Sequence, residues 1–186
     1  MHGITYAGST MIPVCHSIRR YFNKVFSGLA KDGKGTMDRC HGFRLHLMCN
    51  DRGDIITFCL TGANVDDRDM RVWKVFTKEL YGKVSADRGY IKRELFETLA
   101  GRGIHLVHGL RANMKNRLMP MRDKIMLRKR YVIGCINGLL KNKADPVHSR
   151  HRSVHNFPVN LCSALTAYCF FDNKPEALPA HIEKTA

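Results

Sequence analysis

Acidic residues are scarce in this chain. Sixteen Asp and Glu stand against 31 Lys and Arg, a formal charge of +15, which favours a polyanionic partner, nucleic acid first among them. Long apolar runs are missing too. Nothing approaches the roughly 18 uninterrupted apolar residues of a membrane span, and the opening MHGITYAGST lacks the basic-then-apolar layout of a secretory signal. A soluble intracellular protein is the expectation. The seven cysteines are odd in number and form no CxxC pair, so reduced, mostly buried thiols are expected rather than a disulfide framework. No P-loop, GxGxxG or GxSxG string occurs, which leaves nucleotide hydrolysis and serine-hydrolase chemistry without support. No spacing singles out a cysteine nucleophile, and there is no internal repeat.

What is present describes a folding chain. Its 186 residues fit one domain, and a hydrophobic fraction of 44% separates it from a disordered basic tail. Residues 4–15 (ITYAGSTMIPVC) favour a strand, with Pro13 limiting pairing near its end. Residues 42–62 form two β-rich runs around the turn-rich 50–54, a hairpin signal. Asp66 or Asp67 can cap a helix in which Met70, Trp73, Phe76 and Leu80 recur until Gly82 stops it. A short strand at 83–86, a turn at 87–89, a helix over 91–100 and a strand over 104–110 then make a βαβ unit with parallel strands. The expected architecture is α/β, a mixed sheet flanked by helices.

Residues 111–130 hold eight basic side chains (Arg111, Lys115, Arg117, Arg122, Lys124, Arg128, Lys129 and Arg130) against Asp123 alone, nearly half the net charge. Such density suits a surface that tracks phosphates. An amphipathic helix follows through Val132, Ile133, Ile136, Leu139 and Leu140. It contains Gly134 and Gly138, each costing about 1 kcal/mol relative to Ala in a helix interior. A last apolar helix spans 156–171, and residues 172–186 read as a Pro-rich, frayed tail. His148, His151 and His155 could share a helix face, but with no Cys or acidic ligand nearby they read as polar contacts rather than a zinc site. Asp87 lies where a strand ends and a turn begins, the position at which ligands gather in α/β sheets.

Several strings, taken in order, carry a resemblance. KVFSGLAKDGKGTM (24–37), GFRLHLMCNDRGDIITFCLTGANVDDRD (42–69), SADRGYI (85–91), LRANMKNRLM (110–119), DKIMLRKR (123–130), HSRHRS (148–153) and AYCFF (167–171) together resemble a bacterial insertion-sequence transposase of the DDE superfamily. The resemblance runs through nearly the whole chain. It implies an RNase H-like domain over 1–171, Mg²⁺ or Mn²⁺ as cofactor, DNA (element ends and target) as partner, and a cytoplasmic, nucleoid-associated setting in a bacterium; a homo-oligomer is compatible with it.

In such a family two Asp and one Glu hold paired divalent cations, because two cations about 3.5–4 Å apart must be bridged by anions while they clamp an in-line displacement. The middle Asp of the family motif corresponds to Asp87 in SADRGY. The first Asp, which precedes a Ser-Thr pair at a strand end, corresponds to Gly8 in GSTMIPVC, and the Glu to Gly134 in YVIGCINGLLKN. Two of three ligands are absent, so the resemblance implies a decayed copy, lacking as well the helical region that precedes the first Asp in the family. Asp66 and Asp67 look like helix caps, and Asp51 and Asp54 like hairpin-turn residues, rather than substitute ligands. Restoring Asp at 8 and Glu at 134 is expected to leave the chain no less stable unless three unscreened carboxylates repel each other in the absence of metal. The competing readings are a non-catalytic basic module for DNA or RNA and, last, a zinc-stabilised Cys/His domain.

Overall fold

A computed structural model describes residues 3–35, 39–78, 80–90, 92–109, 118–144 and 152–177. Its frame is a six-stranded mixed sheet: β1 (Ile4–Cys15), β2 (Lys31–Lys34), β3 (Arg39–Asn50), β4 (Ile55–Gly62), β5 (Lys83–Ala86) and β6 (His105–His108). β1 is central, antiparallel to β3 along one edge and parallel to β5 along the other. β6 continues the sheet parallel to β5. On the far edge of β3, β2 pairs along 39–42 and β4 along 43–49.

Period-two alternation divides the sheet between two cores. Tyr6, Ile12, Leu45, Leu47 and Val107 face α3 (Met121–Lys129), α4 (Tyr131–Leu139) and α5 (Asn156–Cys169). Ala7, Met48, Val84 and Leu106 face α1 (Met70–Phe76) and α2 (Arg93–Ala100), whose Trp73, Phe76, Leu95 and Leu99 are fully buried. Helices on both faces of a mixed sheet with an antiparallel ribbon and a parallel βαβ unit make the fold RNase H-like, as the resemblance implies. No helix among the described residues is long and apolar enough to cross a membrane.

Local expectations fail in instructive places. Asp69, not Asp66 or Asp67, caps α1, its carboxylate accepting from the Arg71 amide. The helix stops at Phe76, so Leu80 packs from the following loop. Gly82 terminates nothing; at φ +77 it lets the backbone pass against Gly3, whose carbonyl accepts from the Lys83 amide at 2.6 Å. Pro13 is accommodated by a bulge between Pro13 and Cys15, and β1 runs on to Cys15. All seven cysteines are free, but only Cys49 is buried, and Cys135, Cys162 and Cys169 are exposed. Apolar character alone does not bury a thiol on the outer face of a helix.

The tail is not frayed as far as residue 177. The Ala177 amide donates to the Asp51 carbonyl at 2.6 Å, and Lys174 pairs with Asp54 at 2.9 Å. These contacts strap residues 172–177 to the β3–β4 turn, where the Tyr168 hydroxyl also donates to the Gly53 carbonyl at 2.7 Å.

Candidate active-site cleft

The register of the parallel strands brings the site together. Tyr6 lies opposite Ser85, so Gly8 and Asp87, each two residues further on, continue to the same level. Gly8 is not at the end of its strand, since β1 extends seven residues beyond it, but its parallel pairing with β5 ends at Tyr6, and Asp87 begins the turn after β5. α4 crosses above. Gly8, Asp87 and Gly134 line one cavity of about 250 Å³.

Each position differs in character. The Asp87 carboxylate is 56% exposed, and Arg130 Nη2, from the junction of α3 and α4, lies 3.5 Å from it. An ion pair this open to water contributes little to stability. Gly134 faces open space: an added Cβ meets nothing within 4 Å. Gly8 does not. An ideal Cβ there would stand 2.7 Å from Ile133 Cγ1 and 3.0 Å from Cγ2, and the expectation that Asp at 8 costs no stability is therefore corrected. Ile133 is 3% exposed and wedged into the core, so it must be displaced to admit any side chain.

Asp67, set aside from sequence as a helix cap, also lines the cavity. Its Oδ1 lies 3.1 Å from Arg44 Nη1 and 3.2 Å from His46 Nδ1, charge contacts without good hydrogen-bond alignment. Burial resists its ionisation, yet the contacts with His46 and Ser9 and the Arg44 charge prevail and hold its carboxyl below the usual range. His46 is itself held by Thr61 Oγ1 at 2.9 Å. The sequence carried a signal of this. Three aspartates precede α1 and only one N-cap position exists; Asp66 turns outward to Arg68 and Asp69 caps, leaving Asp67 free to face inward.

Of the eight basic residues predicted to contact nucleic acid, Arg122, Lys124 and Arg128 are exposed on α3 and Lys129 is half-buried. Arg130 turns toward Asp87. Arg111, Lys115 and Arg117 lie outside the described residues, as do His148 and His151. α3 is moored to the sheet by Asp123, buried and bonded to Lys83 at 2.5 Å with His105 at 3.6 Å.

The donors do not fit a pair of divalent cations. Two carboxylates reach the cavity where the chemistry requires three bridging anions; Asp67 already answers Arg44 and His46, and Asp87 faces Arg130. No group of three or more His, Cys, Asp or Glu that could hold a metal occurs among the described residues. The remaining polar lining is Ser9, Tyr90, Tyr131 and Asn137, the last with a buried, unpartnered Oδ1.

The mixed sheet, flanked by helices on both faces, holds its cleft at the carboxyl end of β5. The family model described as Transposase DDE domain matches residues 1–154, and the chain belongs to that family. No curated protein matches it.

Proposed function

We propose that this protein is a DNA-binding transposase DDE domain, by descent a metal-dependent strand transferase, whose own cutting and joining chemistry is lost. One observation carries the reading: Ile133 fills the volume that an acidic side chain at position 8 needs, so the core is packed around the absence of that ligand. The Gly at 134 removes a second anion from the same cavity. With Asp87 paired to Arg130 and Asp67 to Arg44, the cleft is close to neutral, and nothing in it would bridge two cations. The basic face of α3 supports retention of DNA binding, because its cations need only phosphates to act.

The test is incubation of the unmodified protein with supercoiled plasmid and Mg²⁺ or Mn²⁺. The plasmid should stay intact while a gel-shift assay shows it bound. Metal-dependent nicking that disappears in Asp87→Ala would overturn the loss of chemistry, and nicking that survives in Asp87→Ala would overturn the assignment of the cleft.

A further inference from the structure

We propose that the 3₁₀ helix at Ser17–Phe22 is a stacking platform for unpaired bases of the DNA this domain binds, with Tyr21 and Phe22 taking the bases and Arg19 a neighbouring phosphate. The inference rests on the DNA-binding reading above and adds a second contact surface to it. Three large apolar side chains in this six-residue helix are almost fully in water: Ile18 is 78% exposed, Tyr21 79% and Phe22 83%. Leaving them there forfeits the burial that normally claims such residues.

The helix geometry accounts for their alignment. At three residues per turn, side chains i and i+3 eclipse, so Ile18 lies above Tyr21 and Arg19 above Phe22, one apolar column beside one that pairs a cation with an aromatic ring. The third column points back. Arg20 bonds Asp32 on β2 at 2.9 Å, its guanidinium lies 4.6 Å from the Tyr21 ring centroid, and it donates to the Tyr21 hydroxyl at 2.6 Å. Tyr21 is thereby held in one orientation, which removes part of the entropy a stacking partner would otherwise have to offset.

Charge selects the occupant. Residues 16–34 carry five Lys or Arg against one Asp, a surplus that would oppose docking of a second copy through the same patch, since an isologous contact sets like charges face to face. A polyanion with planar apolar faces suits both features, and aromatic side chains interleaved with cations are how unpaired nucleic acid is held without sequence preference. The platform stands beyond the end of β1, about 23 Å along the strand from Gly8 at roughly 3.3 Å per residue. That is the length of about seven stacked base pairs at 3.4 Å each, so the same DNA can reach from the cleft to the platform.

The test compares the full chain binding a blunt duplex and the same duplex with a single-stranded tail containing 2-aminopurine. The tail should tighten binding at least about fivefold, the low end of base–aromatic stacking converted to affinity, and protein should quench the 2-aminopurine emission. The double variant Tyr21→Ala/Phe22→Ala should lose both effects, and Tyr21→Phe/Phe22→Tyr should keep them; these side chains lie in solvent, and circular dichroism checks that the variants fold. A tail that brings no advantage to the unmodified chain, or an advantage that survives in the alanine variant, would overturn the platform. So would an alanine variant that instead abolishes self-association measured by sedimentation. Failure to bind even the blunt duplex would sink the DNA-binding reading itself, and the platform with it.

Discussion

Ile133 Cγ1 lies 2.7 Å from where a Cβ on Gly8 would stand, while Gly134, the next residue along α4, has empty space around its own missing Cβ. Neighbouring positions on one helix thus treat a side chain added at 8 and one added at 134 in opposite ways. Gly8→Ala should destabilise the protein by about 1–3 kcal/mol through overpacking, whereas Gly134→Ala should stabilise it by up to about 1 kcal/mol through helix propensity. Urea unfolding measures both. The loss at position 8 should shrink in an Ile133→Ala background, because a double-mutant cycle reports contact between the two sites; equal and independent effects would refute the wedge.

Restoring the anions requires removing the wedge. Gly8→Asp with Gly134→Glu should fold poorly, and adding Ile133→Ala should recover folding. In the triple variant three carboxylates repel each other until a cation arrives, so its melting temperature should rise with added Mn²⁺ while that of the unmodified chain stays flat. Plasmid nicking should accompany the shift and vanish on further substitution of Asp87→Ala. A triple variant that folds yet shows no metal-dependent shift would mean that the three positions do not form one centre.

On the basic helix, Arg122, Lys124 and Arg128 are exposed and clear of the cleft. Their joint replacement by Ala should flatten the dependence of log K on log salt by up to about 0.9 per lost phosphate contact. Binding titrations over a salt series decide this, and an unchanged slope would move the footprint off α3.

Asp69 links acidity to the integrity of α1. The hydrogen bond from the Arg71 side chain is the largest influence on its carboxyl, burial opposes it, and the balance holds its pKa at about 2 against an ordinary 3.8. A folded-state pKa below the unfolded value stabilises the native chain at pH above about 4, and that contribution is lost as pH falls toward 2. Asp69→Asn keeps a capping oxygen without the titration. Stability of this variant, followed by urea unfolding from pH 4 to pH 2, should fall less steeply than that of the unmodified protein.

The strand over 4–15 and the hairpin over 42–62 were legible because β-branched and aromatic residues bounded by turn signals mark strands locally. The place of Asp87 just after β5 was legible as well, since the end of a strand is a local feature. Asp67 was not, because whether a carboxylate before a helix caps it or turns inward depends on Arg44 and His46, which come from another strand. The wedge at Gly8 was equally hidden: it joins residues 125 positions apart, and no spacing within either segment encodes it. Leu80 misled through its helical spacing, a periodicity that a buried loop residue can imitate.

The strap formed by residues 172–177 has a consequence for how the chain is made. Asp51, Gly53 and Asp54 at the β3–β4 turn take their partners from Ala177, Tyr168 and Lys174, more than a hundred residues downstream. While synthesis proceeds from the N-terminus, the hairpin can emerge and pair, but the loop that joins its strands stays unlatched until the last helix has left the ribosome. Closure of such distant contacts is entropically slow, and so the latch follows the pairing of the hairpin rather than guiding it.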